Sequence, residues 1–120
     1  MVNLILPYPP TVNTYWRKFK NHMVISPRGR AYKNKVAEII KQLEISKFTG
    51  FVKLEISLVP PDSRKRDVDN VLKSLLDALT AAHVWEDDYQ VKAVFIERMD
   101  KDPEKQGFCV VRIAPVQIKN

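Results

Sequence analysis

Apolar and polar positions alternate with a period of two along residues 51–59, FVKLEISLV. Val52, Leu54, Ile56 and Leu58 share one face, and Lys53, Glu55 and Ser57 share the other. Successive side chains of a strand point to opposite faces, so this segment predicts a strand with one buried side. Residues 2–6, VNLIL, predict a shorter strand stopped by Pro7, Pro9 and Pro10, which lack the amide that a ladder needs. Residues 90–99 (QVKAVFIERM) and 107–114 (GFCVVRIA) predict two more strands, paired with each other around the polar loop 100–106. Two segments carry the helical period instead. Ser26-Pro27 offers an N-cap hydroxyl and a first-turn proline, and Tyr32, Val36, Ile39, Ile40 and Leu43 then recur at helical spacing. That predicts a helix running to about Lys47. A second helix is predicted over roughly 68–82, with Leu72, Leu75, Leu76 and Leu79 as its buried stripe. The segment TVNTYWRKFKNHMVI, between the first strand and the first helix, reads as a loop or ribbon that mixes aromatics with bases.

The order β, basic segment, α, β, α, β, β predicts an α+β fold, two helices packed on a mixed sheet of about four strands. With 120 residues the chain is expected to form a single domain over 1–120, because a second core would be too small to stand alone. No apolar stretch approaches the length of a membrane span. The opening MVNLILPYPP lacks a basic leader and runs into prolines, so it reads as a strand rather than a signal peptide. The lone Cys109 has no internal disulfide partner and sits in the apolar run FCVV, as a core thiol in a reducing cytoplasm would.

Charge distribution says more than the net +6. Eight Lys or Arg residues and one acid, Glu38, lie between Arg17 and Lys41. Six acids (Asp67, Asp69, Asp77, Glu86, Asp87 and Asp88) lie between Asp67 and Asp88, against the single base Lys73. Basic residues gain affinity for phosphates by releasing counterions. Carboxylates would repel the same phosphates unless a divalent cation neutralised them. Charge of this kind fits a metal-using enzyme of polyanions; a solvated surface without a partner fits it too.

The pattern narrows at Arg64-Lys65-Arg66-Asp67-Val68-Asp69-Asn70-Val71-Leu72-Lys73, followed by Glu86-Asp87-Asp88. Asp67 and Asp69 flank the predicted start of the second helix; residues two apart can converge on one ion if that entry is non-helical, whereas inside a helix they would diverge by about 200°. The helix N-terminus adds partial positive charge that favours carboxylates and a bound phosphate. Lys73, one turn beyond Asp69, shares its face, opposite the leucine stripe. Magnesium prefers oxygen ligands, can acidify a water, and can neutralise charge at a phosphodiester in transition. Simpler roles stay open: an N-cap for Asp67 or Asp69, an i,i+4 ion pair for Lys73, a polar turn for Glu86-Asp87-Asp88. Trp85 reads as core, and His83 as a residue at a helix C-terminus. Tyr15, Trp16 and Phe19, set among Arg17, Lys18 and Lys20, can stack on unpaired bases or bury against protein.

Taken together, LPYPPTVNTYWR, SPRGRAYKNKV, RKRDVDNVLKSLLDAL and VWEDDYQV resemble the RusA family of Holliday junction resolvases over nearly the whole chain. The core segment is the specific part of that resemblance. It implies that Asp67, Asp69 and Asp88 bind Mg²⁺ and that Lys73 is catalytic. It also implies a homodimer that binds four-way junction DNA and makes paired, symmetric nicks, as recombination and repair require. Arg17, Lys18, Lys20, Arg64, Lys65, Arg66 and Asn70 are then the expected DNA contacts. A non-catalytic DNA-binding protein, or a nuclease of flaps or single strands, is the alternative.

Overall fold

The computed structural model describes residues 1–117. Its elements follow the order β1 (Val2–Pro7), α1 (Val12–Tyr15), β2 (Trp16–Phe19), β3 (His22–Ile25), α2 (Pro27–Gln42), β4 (Val52–Val59), α3 (Asp69–Ala81), a single 3-10 turn (Asp88–Gln90), β5 (Val91–Arg98) and β6 (Phe108–Pro115). Strands β1-β6-β4-β5 form one mixed sheet, and β2-β3 form a separate two-stranded ribbon. Strand β4 is antiparallel to β6 and parallel to β5, the parallel step being the β4–α3–β5 crossover. Such a connection needs a helix of α3's kind to return the chain to the same end of the sheet.

The predicted α+β class, the mixed four-stranded sheet and the alternation of β4 all hold. Val52, Leu54, Ile56 and Leu58 are buried and join Leu4, Leu6, Cys109, Val111 and Ile113 in the core. Tyr32, Val36 and Ile40 of α2 and Val71, Leu75, Ala78 and Leu79 of α3 complete it. Trp85 is fully buried, as expected, and its indole N–H donates to Thr80 Oγ1 at 2.7 Å. Burial pushes the Cys109 thiol up to about 12, so it stays protonated and inert.

Three expectations are corrected. The strands at 90–99 and 107–114 do not pair with each other: β5 lies beside β4 on one edge, and β6 inserts between β1 and β4. The loop between them crosses the end of β4. It is fixed there by Asp102, whose amide donates to Pro60 O and whose carboxylate accepts from the amides of Glu104 and Gly107. The first helix ends at Gln42, not Lys47, because Glu44 turns left-handed at φ 53°. The chain is then free to lead Phe48 to Val84, whose carbonyl accepts from the Phe48 amide at 2.9 Å. On α3 the fully buried positions are Val71, Ser74, Leu75, Ala78 and Leu79, while Leu72 and Leu76 are only half-buried. The stripe is rotated by one position because Ser74 donates to Pro10 O and Val71 O, which satisfies a polar group inside the core. The basic segment, read as a loop or ribbon, forms the β2–β3 ribbon, with the short α1 before it.

Gly29 shows how tightly that segment is seated. A Cβ at position 29 would stand 2.4 Å from Tyr15 O and 2.9 Å from Ile25 Cγ1. Ser26 caps α2 by accepting from the Gly29 amide at 2.9 Å, and its own amide donates to Tyr15 O at 2.8 Å. The Gly29→Ala variant therefore has to move backbone, not a flexible side chain. It is expected to lose about 2 kcal/mol of stability, seen as a lower midpoint in urea unfolding with unchanged slope.

Candidate active site

The loop leading into α3 is braced by one carboxylate. Asp62 accepts from the Arg64 amide at 2.9 Å and from Arg66 Nη1 at 2.6 Å, and pairs with Arg64 Nη2 at 3.3 Å. The Arg66 and Arg64 contacts hold the Asp62 carboxyl well below its ordinary range. The brace therefore stays charged wherever ordinary carboxylates are ionised. Arg98, at the end of β5, donates to Arg66 O at 2.9 Å and closes the loop from the other side.

Asp67 and Asp69 emerge from this loop, both exposed. The N-cap position of α3 is Val68, which makes no side-chain cap. Asp67 uses only its carbonyl, which accepts from the Asn70 amide at 3.2 Å. The reading of either aspartate as a simple helix cap is thus not realised. Lys73 is exposed one turn further along, and the ion pairs among the described residues involve neither it nor Asp67 or Asp69. The expected convergence of the two aspartates through a non-helical entry is not found: Val68 between them is helical, at φ -65° and ψ -33°, so Asp67 and Asp69 point apart, whereas Asp69 and Lys73, four apart, share a face. Thr11, Lys65, Arg66, Asp67 and Asn70 line a cleft of about 250 Å³ beside them. Across the loop, Arg64, Lys65, Arg98 and Lys101 line a second cleft of about 700 Å³, with Asp62 and Asp100.

Asp88 occupies a different place. It opens the 3-10 turn before β5, whereas Asp67 follows Arg66, which is bonded to the far end of β5. Burial, the hydrogen bond with Asp87, and the charges of Asp87 and Asp77 raise the Asp88 carboxyl above its ordinary value. Asp87 itself caps the turn, accepting from the Tyr89 amide, and Gln90 completes a capping box. Among the described residues no three His, Cys, Asp or Glu side chains gather closely enough to hold one metal ion. Asp67 and Asp69 suit a hard cation that keeps most of its waters; within one chain Asp88 does not join them.

A family model described as Endodeoxyribonuclease RusA matches residues 7–113. The chain belongs to the RusA family. It is 43% identical over 100 residues to the crossover junction endodeoxyribonuclease of Enterobacteria phage HK97, covering 82% of this chain and 83% of that protein. Its likeness to the crossover junction endodeoxyribonuclease RusA of Escherichia coli K12 is 41% over 90 residues, or 74% of this chain and 75% of the relative. The protein of the same name from Enterobacteria phage 82 is 44% identical over 91 residues, with the same coverage.

For this RusA-family chain, the expected DNA contacts fall into two groups. Arg64, Lys65, Arg66 and Asn70 surround the α3 entry, while Arg17, Lys18 and Lys20 are exposed on the β2–β3 ribbon. Of the aromatics, Tyr15 is fully buried, Trp16 is half-buried and Phe19 is exposed. His83 follows α3 at φ 64°, as a residue just past a helix end. Arg98 and Lys101 escaped the sequence reading, because only the sheet order brings the end of β5 to the loop before α3. Asp77 was visible as an i+4 neighbour of Lys73, but its partner was not: the Tyr15 hydroxyl donates to Asp77 Oδ2. Burial and that bond push the Tyr15 hydroxyl well above its ordinary range, so it remains a donor. Tyr15→Phe removes the bond and keeps the ring. It is expected to cost about 1.5 kcal/mol, measured by thermal melting against wild type.

Proposed function

We propose that the protein is a structure-specific endodeoxyribonuclease that resolves Holliday junctions by paired, symmetric nicks in the presence of Mg²⁺. What carries the reading is that Asp67 and Asp69, exposed at the start of α3, and Lys73, one turn beyond Asp69, enter no ion pair among the described residues, beside a cleft lined by Lys65 and Arg66. A pure DNA binder gains nothing from bare carboxylates on its DNA face. The names of the phage and bacterial relatives point the same way.

Asp67 and Asp69 would hold the cation, which when bound neutralises phosphate charge and acidifies a water. Lys73 would direct its ammonium to a non-bridging oxygen of the same phosphate, where charge grows as the attacking water adds to phosphorus and before the bond to the leaving oxygen breaks. Arg64, Lys65 and Arg66 bind the flanking phosphates, and Asn70 lines the same cleft. Incubating the protein with a synthetic immobile junction, with and without Mg²⁺, and mapping the cuts tests this directly. Symmetric Mg²⁺-dependent nicks in two strands of like polarity are the expected result.

A homodimer suits both the substrate and the division of carboxylates. Two equal cuts call for two sites related by a two-fold axis. Strand β5 is an edge of the sheet that exposes Val94, Phe95 and, just beyond it, Met99. Long apolar edges are unusual in a finished surface and invite another strand. Asp88 precedes one end of β5 and Asp67–Asp69 stand near the other. Antiparallel pairing of two such edges would bring Asp88 of each copy toward the Asp67–Asp69 pair of the other. Asp69→Asn and Asp88→Asn are each expected to abolish nicking while leaving junction binding intact or tighter. Mixed and allowed to exchange, the two inactive variants should recover a single nick, because one heterodimer site is then intact. A mixture that stays inactive after exchange would place all three ligands in one chain.

Lys73 separates function from fold. Lys73→Ala should leave the melting temperature within the equivalent of about 0.5 kcal/mol, since alanine suits an exposed helical position. Single-turnover cleavage at saturating enzyme and Mg²⁺ should fall by about 10²-fold or more. Arginine at 73 should restore only part of the rate, its planar fork replacing a compact ammonium.

A further inference from the structure

The β2–β3 ribbon has a tip that the fold does not use. Its base is committed: Tyr15 is buried immediately before it, Trp16 and Ile25 pack against the core, and Ser26 closes it onto Tyr15. Beyond the base the register pairs Arg17 with Val24, Lys18 with Met23 and Phe19 with His22. Directly opposed residues of an antiparallel pair share a face. Phe19 and Met23 therefore lie on opposite faces, and the tip is apolar on both. Phe19 is 54% exposed and Met23 63%, and neither belongs to the core or its packed margin. Lys20 turns the ribbon at φ 54° and sets its ammonium 5.7 Å from the Phe19 ring centroid.

Charge identifies what can cover this tip. No acid occurs from Met1 through Ala37, and Arg17, Lys18 and Lys20 are exposed around Phe19. A second copy meeting it ribbon to ribbon would bring the same cations against themselves. A polyanion that also offers flat apolar faces meets both demands, and nucleic acid with unstacked bases is that polymer. The ribbon is also tied to the candidate active site. Tyr15, at its root, bonds Asp77 of α3, the helix that carries Asp69 and Lys73.

We propose that the ribbon tip is a base-contacting probe for the branch point of the DNA, with Phe19 and Met23 against unstacked bases and Arg17, Lys18 and Lys20 on the phosphates beside them. The proposal rests on the reading of the protein as a junction nuclease and adds what would distinguish a junction from a plain duplex. Cations on the ribbon find phosphates on either DNA, and a single phosphate contact reports nothing of the bases beside it. Apolar side chains that wedge between base steps gain only where stacking is already weak or is broken in the complex.

The test uses the full-length protein and a four-way junction carrying 2-aminopurine beside the branch point, without divalent cations so that no strand is cut. Wild type should raise the 2-aminopurine fluorescence on binding. The double variant Phe19→Ser/Met23→Ser should fold normally, lose most of that rise, and lose about tenfold of its preference for junction over duplex. The triple variant Arg17→Ala/Lys18→Ala/Lys20→Ala should weaken junction and duplex binding together and leave the preference in place. A double variant with the full fluorescence rise and unchanged preference would overturn the proposal while leaving the nuclease reading intact. Wild type that does not bind the junction here and does not cut it once Mg²⁺ is added would overturn the nuclease reading itself.

Discussion

Tyr15 holds four elements together. Its buried ring is the last residue of α1, its hydroxyl donates to Asp77 of α3, and its carbonyl accepts from the Ser26 amide at the head of α2. The next residue begins the ribbon. Gly29 is required in α2 because the same carbonyl occupies the space of a side chain there. One residue thereby sets the ribbon, the helix of the core and the helix of the candidate site relative to each other. Both hydrogen-bonding ends of this residue are satisfied in surroundings where an unmet polar group would be costly.

The carboxylates of a strongly basic protein are used in different ways along a short stretch. Asp62 is consumed by arginines and organises the loop, Asp77 is taken by Tyr15, and Asp87 caps a turn. Asp67 and Asp69 are left bare at a helix N-terminus, where their mutual repulsion is eased by the helix dipole but not cancelled. Lys73 is equally unspent. Structural economy would have paired these charges, and a site that must accept a cation and a phosphate would not.

Much of the fold was legible because the signals were local. The alternation of β4, the Ser26-Pro27 helix start and the exposure of Lys73 depend on neighbours in sequence. The place of β6 does not: it alternates as well as any edge strand, and only the contest for partners puts it between β1 and β4. The rotation of the buried stripe of α3 was hidden for a related reason. Ser74 is a polar letter that becomes a core residue once Pro10 O is beside it. The aspartates and lysine could be chosen from residue type and spacing. Their division, with Asp88 at the opposite end of β5, requires the β4–α3–β5 crossover to be known.

Strand order also governs how the molecule can be made. Strand β6, near the end of the described chain, is the only link between β1, at the beginning, and β4 in the middle. Until it arrives, β1 has no ladder partner and one side of β4 is open. Contacts between such distant segments form late, after a large loss of chain freedom. On the ribosome the first strand must therefore wait, apolar and without its ladder partner, until β6 has been synthesised. The prolines at positions 7, 9 and 10 and the long basic stretch after them stand where a waiting strand would otherwise find the wrong partner.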